Sequence, residues 1–208
     1  MRTRTVTTIV AAWLLVAAPA AAGPAVGPRE AVETALTQVL SLAQHGAASG
    51  ASTSDRLAEI RRISRETFDF DEVARRSLAR HWQVLRPEER AEFVTLFRDL
   101  LERSYLTQVE ACSGETITFT GESVEGDLAT VHSKVVTGRG TEIPLDYRMH
   151  VRDGRWRIYD VVVGGWSFIA SYRSQFDRVI RVESYAALRD RLRKKTFDHA
   201  VAEGRPES

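Results

Sequence analysis

A strand, a glycine break and an aromatic-rich helix follow one another directly between residues 154 and 180, and this succession constrains the fold strongly. Trp156, Ile158 and Val162 alternate with other side chains, which is the two-residue period of a half-buried strand. The pair Gly164-Gly165 ends that strand. Beyond it, apolar residues recur every three or four positions, as on one face of a helix: Phe168, Ile169, Tyr172, Phe176, Val179 and Ile180. The strand and the helix are therefore predicted to enclose a shared apolar space.

The N-terminal half carries helical patterns separated by turn signals. Apolar residues recur at helical spacing over residues 28–44, and Pro28 suits the first turn of that helix. Small residues from Gly46 to Ser54 predict a flexible connector. A second helix carries Leu57, Ile60 and Ile63, and Asp69 or Asp71 is predicted to cap a third helix that carries Val73, Ala74, Leu78 and Trp82.

Pro87 opens the longest predicted helix, and Gly114 ends it. A broad apolar stripe runs along this helix: Phe93, Leu96, Phe97, Leu100, Leu101, Tyr105 and Val109. Such a stripe is typical of a helix with one face packed in a core. The N-terminal half of the chain is therefore predicted to be helical throughout.

Alternating apolar residues mark a series of strands after the long helix. The alternating sets are Ile117 and Phe119, then Val131 and Val135, then Ile143, Leu145, Tyr147, Met149 and Val151. The short connectors at 125–127, 138–140 and 153–154 favour antiparallel pairing of neighbouring strands. We therefore expect an α+β fold in which helices pack against the apolar face of a curved, four-stranded antiparallel sheet.

Two groups of motifs resemble the MlaC family, the periplasmic phospholipid-shuttling proteins also called toluene-tolerance auxiliary proteins. The first comprises Tyr159-Asp160-Val161, Gly165, Ser167 and Tyr172-Arg173-Ser174-Gln175-Phe176, followed by a helix with Tyr185 and Leu188. The second lies upstream and comprises Phe68-Asp69-Phe70, Ala74-Arg75, Leu78-Ala79-Arg80-His81-Trp82, Glu88-Glu89 and Phe93-Val94-Thr95-Leu96-Phe97. Together they span residues 65–195. The chain departs from the family pattern at Gly164, at Trp166 and in the alanine- and glycine-rich stretch 43–51.

The resemblance implies a fold similar to the nuclear-transport-factor-like cone, with an apolar pocket and no cofactor. It also implies a periplasmic carrier of phospholipid between an outer-membrane lipoprotein complex and an inner-membrane ABC transporter complex, which preserves the lipid asymmetry of the outer membrane. The headgroup is expected to stay outside the pocket. A hopanoid or another lipid is an alternative cargo, and a protein-binding adaptor with a solid core is an alternative function.

A lipid carrier needs many apolar side chains around one cavity. A diacyl phospholipid has on the order of 30 methylenes, and at about 0.8 kcal/mol each its tails resist transfer to water by roughly 25 kcal/mol. The long helix, the sheet and the later helix offer the candidates for lipid binding, which could equally fill an ordinary core: Phe97, Leu101, Tyr105, Phe119, Tyr147, Met149, Phe168, Tyr172 and Phe176.

The N-terminus has the pattern of a secretory signal peptide. Arg2 and Arg4 precede an apolar run at 6–18, and Ala20-Ala21-Ala22 supplies small residues for cleavage after Ala22. We therefore expect residues 1–22 to be removed and residues 23–208 to form one domain in the periplasm. An uncleaved anchor is the alternative interpretation.

Composition narrows the possible functions. Hydrophobic residues make up 43% of the chain and charged residues 27%, which is ordinary for a globular domain. The formal net charge is only +1, so nothing argues for nucleic acid as a partner. Cys112 is the only cysteine, so an internal disulfide is excluded, and we expect it to be a small, at least half-buried residue.

The sequence contains no familiar catalytic or metal-binding motif, and its five histidines are scattered. Asp160 is the one carboxylate that alternation places on the apolar face of a strand. A buried carboxylate needs a partner, and Arg173 on the following helix is the predicted one, in a structural pair. In the rival enzyme hypothesis, Asp160 would act as a base together with Tyr147 or Tyr159.

Overall fold

The computed structural model describes residues 24–45, 52–111 and 116–197. The predicted signal peptide, most of the predicted connector, and Cys112 lie outside these ranges. In chain order the helices are α1 (Pro28–His45), α2 (Thr53–Thr67), α3 (Phe70–Leu78), α4 (Pro87–Ala111), α5 (Phe168–Val182) and α6 (Tyr185–Arg193). The strands are β1 (Thr116–Glu125), β2 (Leu128–Val136), β3 (Glu142–Arg152), β4 (Arg155–Val163) and β5 (Trp166–Ser167). The α+β class predicted from the sequence is confirmed.

Short polar side chains fix where three of the helices begin. Ser52, Ser167 and Ser184 accept hydrogen bonds from the backbone N–H groups in the first turns of α2, α5 and α6. Pro28 and Pro87 open α1 and α4, as the sequence predicts. These caps satisfy backbone donors that a helix cannot satisfy itself.

The third helix is shorter than its sequence pattern suggests. Asp69 caps it, because its Oδ1 accepts a hydrogen bond of 3.0 Å from the N–H of Glu72. The α-helix ends at Leu78, where Ala79 adopts a positive φ of 48°. A 3₁₀ turn then runs over Ala79–Val84, and Trp82 lies on this turn rather than on α3.

The sheet is an antiparallel meander in the order β1-β2-β3-β4-β5. It has five strands rather than the four expected, because the chain reverses at Gly164 and Gly165 and then pairs Trp166 with Val163. Both glycines have positive φ values, 57° and 87°, which other residues rarely adopt. A two-residue strand is too short to produce a visible alternation, so sequence periodicity could not reveal it.

A β-bulge bends β4 near its middle. Met149 of β3 pairs with Ile158 and Arg148 pairs with Asp160, so Tyr159 is an extra residue without a direct partner. An extra residue on one strand bends it and increases the local twist. The bend gives the sheet the curvature that the sequence-based interpretation expected.

Two apolar clusters stabilise the described part of the chain. One lies among α3, α4, α5 and α6 and centres on Phe93, Phe97, Tyr172 and Phe176. The other lies between α1 and the sheet and includes Val32, Val131, Tyr147, Met149 and Ile158. The helices α3 and α4 therefore pack against the C-terminal helices α5 and α6, and α1 covers the apolar face of the sheet. None of the described helices is both long and apolar enough to cross a bilayer.

The buried carboxylate of Asp69 joins the helical half to the sheet. Oδ1 accepts a hydrogen bond of 2.6 Å from Arg152, and Oδ2 lies 2.9 Å from Nε2 of His150. The backbone N–H of Asp69 also donates to the carbonyl of Ile158 at 2.9 Å. Burial alone would raise the pKa of Asp69, but its bonds to Arg152, to the Glu72 N–H and to His150 hold that pKa below its usual value.

Replacing this carboxylate by an amide should therefore destabilise the protein. We expect Asp69→Asn to lower the free energy of unfolding by about 2 to 3 kcal/mol at pH 7, less than for a fully buried pair because Arg152 is half exposed. Asp69 has a lowered pKa in the folded state, so its contribution is complete above the unfolded pKa of about 4 and is lost as the pH falls through the folded pKa. Urea unfolding at pH 7, 4.5 and 3 should show the difference from wild type shrinking at the lowest pH.

Asp153→Asn is the matched control, because this side chain is 87% exposed and lies 3.9 Å from the same arginine. Its effect should stay within about 0.5 kcal/mol. Equal losses in the two variants would contradict the proposed role of Asp69.

Candidate functional site: a buried apolar cavity

A cavity of about 320 Å³ lies between the sheet and the helices α1, α2 and α4. The first two helices contribute Val32, Ala35, Leu36, Val39, Ile60, Ile63, Ser64 and Thr67. The remaining wall is formed by Phe68, Phe70, Val73, Leu101, Glu102, Tyr105, Tyr147, Ile158, Tyr159, Asp160, Val161, Phe168 and Ile169. Aliphatic and aromatic side chains dominate this wall, which is the chemistry of a site for an apolar molecule.

The bulge in β4 explains how one strand contributes so much of the wall. Side chains normally point to alternate faces of a strand, yet the four consecutive residues 158–161 all line the cavity. The extra residue Tyr159 interrupts the alternation at this point. The bent strand therefore wraps around one side of the cavity.

Four of the nine residues predicted to bind lipid line the cavity: Leu101, Tyr105, Tyr147 and Phe168. The rings of Tyr105 and Phe168 pack edge to face, with centroids 5.1 Å apart. These four residues come from α4, β3 and α5. The sequence-based interpretation thus identified elements that surround the site.

The other five predicted residues lie outside the cavity wall. Phe97, Tyr172 and Phe176 pack against one another in the helical cluster, where the centroid of Phe97 lies 4.9 Å from Tyr172 and 5.0 Å from Phe176. Met149 is fully buried in the cluster under α1, and Phe119 packs against its margin. For these five residues the structure shows packing in a core, which periodicity cannot distinguish from packing around a cavity.

Sequence reasoning missed the contribution of α1 and α2. Val32, Leu36 and Val39 on α1, and Ile60 and Ile63 on α2, face the cavity. Their helical spacing was visible in the sequence, but spacing shows only which residues share a face. What that face contacts depends on how the helices pack against the sheet.

Asp160 is buried at the cavity wall, and its partner is Arg148 rather than the predicted Arg173. Its side chain is 2% exposed, and Oδ2 accepts hydrogen bonds from Arg148 at 3.1 Å and from the Ser167 hydroxyl at 2.7 Å. Oδ1 accepts from the backbone N–H of Ile169 at 3.1 Å. With these three donors, the carboxylate fastens β3 and β4 to the start of α5.

The prediction of an Asp160–Arg173 pair was therefore wrong. Arg173 lies on the exposed side of α5, and its Nε donates to the backbone carbonyl of Arg76 at 3.1 Å. Arg148 is instead the residue directly across the strand pair from Asp160. The register between β3 and β4 brings Arg148 close to Asp160. That register could not be predicted from the residue spacing within β4 and α5 alone.

Two tyrosines of the wall stay uncharged. Burial raises the pKa of Tyr105 far above its ordinary value, with a further contribution from Tyr172, and burial likewise raises the pKa of Tyr147. These two neutral phenol groups add no negative charge to the wall at physiological pH. The wall is therefore suited to hydrocarbon.

Glu102 is the second carboxylate at the wall, and arginines surround it. Its side chain is 8% exposed, and Arg65 makes two hydrogen bonds to it, of 2.9 and 3.1 Å. Arg61 and Arg98 approach the same carboxylate at 3.7 and 3.8 Å. Both carboxylates of the wall are thus paired with cations.

The described ranges contain no group of three or more side chains arranged to hold a metal ion. Three of the histidines instead contact single carboxylates: His81 contacts Asp177 at 2.8 Å, His132 contacts Asp146 at 3.0 Å and His150 contacts Asp69 at 2.9 Å. These contacts lie outside the cavity wall. The geometry is that of a binding protein for an apolar molecule.

The sequence profile of the MlaC protein family matches residues 33–194, and the chain belongs to this family. Among solved structures, it is similar to the phospholipid-binding protein of Ralstonia solanacearum, which was determined in complex with a phospholipid. The TM-score is 0.69 at 22% sequence identity, and the match covers 82% of this chain and 97% of the other. The two proteins therefore share one fold over nearly the whole of the Ralstonia protein.

Replacing Arg148 and Arg173 in turn tests which of the two arginines is the partner of Asp160. Arg148→Met should lower the free energy of unfolding by about 1 to 2 kcal/mol, because it leaves the buried Asp160 without its charged partner while Arg148 itself is half exposed. Arg173→Met removes only an exposed bond to a carbonyl and should cost less than about 1 kcal/mol. Chemical denaturation measures both variants, and the opposite order would favour Arg173 as the partner.

The distinction between core and cavity wall can be tested on two phenylalanines. Phe176→Ala should cost about 3 to 5 kcal/mol, because the ring is fully buried among other rings. Phe168→Ala should cost only about 1 to 2 kcal/mol, because one side of this half-buried ring faces the cavity and has fewer contacts to lose. Guanidinium unfolding of both variants provides the comparison, and equal costs would contradict the placement of Phe168 at the cavity wall.

Proposed function

We propose that this protein is a periplasmic lipid carrier that holds the acyl chains of a phospholipid in the cavity. The observation that carries the proposal is the buried, almost wholly apolar wall between the sheet and α1, α2 and α4. The carrier takes phospholipid between an outer-membrane lipoprotein complex and an inner-membrane ABC transporter complex. This traffic maintains the lipid asymmetry of the outer membrane.

The physical need for such a carrier follows from the cost of exposing acyl chains to water, about 0.8 kcal/mol for each methylene. A cavity replaces the bilayer only if its wall is largely apolar and exposes no unpaired charge. The neutral tyrosines and the arginine-bound carboxylates Glu102 and Asp160 are consistent with that condition. The wall therefore supports binding of hydrocarbon rather than a chemical reaction.

The volume of about 320 Å³ lies at the lower end of the range for ligand sites. Two full acyl chains need more room than this, so loading requires an outward movement of part of the wall. In our proposal α1 provides this movement, because it forms one side of the cavity and precedes the rest of the fold in the chain. The sheet and α5 stay fixed through Asp160.

The family match and the Ralstonia structure support the choice of cargo. That protein shares the fold and was determined in complex with a phospholipid. The signal peptide predicted at residues 1–22 supports a periplasmic location. A hopanoid remains the alternative cargo, because an apolar wall accepts a rigid polycyclic lipid on the same physical grounds.

The cavity argues against the adaptor with a solid core, because that hypothesis predicts a filled interior. The enzyme hypothesis has lost its proposed base, since Asp160 already accepts three hydrogen bonds. Lipid carriage is therefore the function that the geometry supports best.

Native mass spectrometry of the mature protein, purified from bacteria without detergent, tests the proposal. We expect about one phospholipid per chain, identified after solvent extraction. Ala35→Trp, which places an indole ring in the cavity from α1, should reduce the lipid-bound fraction at least about tenfold, because the ring occupies the space for hydrocarbon.

Ala91→Trp on the exposed face of α4 is the matched control and should keep its lipid. Circular dichroism on both variants shows whether each is folded. A hopanoid mass would retain the carrier and change its cargo. Wild-type protein that stays bare after incubation with phospholipid vesicles would refute the proposal.

A further inference from the structure

An arginine cluster lies on the two helices that form one wall of the cavity. We define the cluster as Arg61 and Arg65 on α2 and Arg98 on α4, which surround the carboxylate of Glu102. Each pair on a helix is one turn apart: Arg61 and Arg65 on α2, and Arg98 and Glu102 on α4. The cluster therefore joins α2 to α4 beside the apolar space.

The arginine cluster lies between Glu102 at the cavity wall and the solvent. Glu102 lines the cavity, together with Ser64 from α2 and Leu101 from α4. The side chains of Arg61, Arg65 and Arg98 are 40%, 49% and 27% exposed. A molecule whose apolar part fills the cavity can therefore reach the arginine cluster with a polar end that remains in water.

The charges of the arginine cluster are not balanced. Arg65 uses two donors on Glu102, whereas Arg61 and Arg98 stay beyond hydrogen-bond distance of it, at 3.7 and 3.8 Å. Asp99 lies 3.8 Å from Arg98 and adds one negative charge. Among the described residues, three guanidinium groups thus face two carboxylates within 4 Å, which leaves one positive charge in excess.

One donor of the arginine cluster makes no hydrogen bond within the described ranges. Nε of Arg98 is buried and lies 3.8 Å from Oε1 of Glu102, which is too far for a hydrogen bond. Buried donors are nearly always satisfied in folded proteins, so this arginine keeps hydrogen-bonding capacity that Glu102 does not use. The planar guanidinium group matches phosphate oxygens in geometry as well as in charge.

We infer that Arg61 and Arg98 form a subsite for a phosphate group, and that in the loaded carrier this group is the phosphodiester of the bound phospholipid. The inference rests on the proposed function, because the lipid's tails bring its phosphate to the arginine cluster. Arg65 and Glu102 keep the helices together and leave the donors of the other two arginines for the ligand. The subsite distinguishes lipids that contain a phosphate group from lipids that do not, which the apolar wall cannot do.

Two soluble short-chain lipids that differ only in the phosphate-containing headgroup test the inference. We expect wild-type protein to bind dioctanoylphosphatidylglycerol roughly tenfold more tightly than dioctanoylglycerol, since hydrogen bonds to charged groups are the stronger ones. Arg61→Gln combined with Arg98→Gln should abolish this preference, so that the variant binds the two lipids equally. Isothermal titration calorimetry measures the affinities.

Arg56→Gln combined with Arg62→Gln is the matched control. It removes the same total charge, here from α2 alone, and Arg56 and Arg62 contact Thr53, Glu59 and Glu66 rather than Glu102. This control should keep the preference for the phospholipid. Arg61→Lys combined with Arg98→Lys should retain part of it, because the charge stays and the two-point geometry is lost.

The outcomes separate the subsite from the carrier function. Equal binding of both lipids by wild type, or an unchanged preference in the Arg61→Gln, Arg98→Gln variant, overturns the subsite and leaves the carrier standing. If wild-type protein binds neither lipid, two hypotheses are overturned: that the protein carries lipid, and that a lipid supplies the phosphate. In that case, binding of inorganic phosphate is measured for both proteins. If phosphate binds wild type but not the Arg61→Gln, Arg98→Gln variant, the arginine cluster is a site for the free ion. If phosphate binds neither protein, the site is overturned.

Discussion

The buried carboxylates of Asp69 and Asp160 determine how the helices sit on the sheet. Asp69 caps α3 and binds His150 and Arg152 on β3. Asp160 on β4 receives the N–H of Ile169 at the start of α5 and the guanidinium of Arg148. A buried carboxylate without partners costs several kcal/mol, so these contacts hold both helix starts in place. The cavity lies between these two fixed positions.

The fold divides stability and binding between two apolar regions. The helical cluster around Phe93, Phe97 and Phe176 is packed with aromatic rings at centroid distances of 5.0 to 5.7 Å. The region between the sheet and α1 instead leaves a cavity. An unfilled cavity forfeits dispersion contacts, so the filled cluster and the two carboxylate junctions have to compensate.

The periodic patterns of the sequence predicted the helices and the four long strands, because apolar spacing depends on local geometry alone. The alternation of β4 also predicted that Asp160 is buried. The partner of Asp160 was not predictable in the same way. Arg148 reaches it across the strand pair, and the bulge at Tyr159 sets that register. The lining from α1 and α2 was missed because each of these helices could have packed against any apolar surface.

The sequence by itself determined the class of fold, the order of its elements and the apolar character of their inner faces. These properties follow from the spacing of residues a few positions apart. Only the tertiary structure decided which apolar residues fill a core and which line a cavity, as the different positions of Phe176 and Phe168 show. It also decided that three arginines from two helices meet at Glu102. Both results depend on contacts between distant parts of the chain, where the fit of whole surfaces determines the outcome.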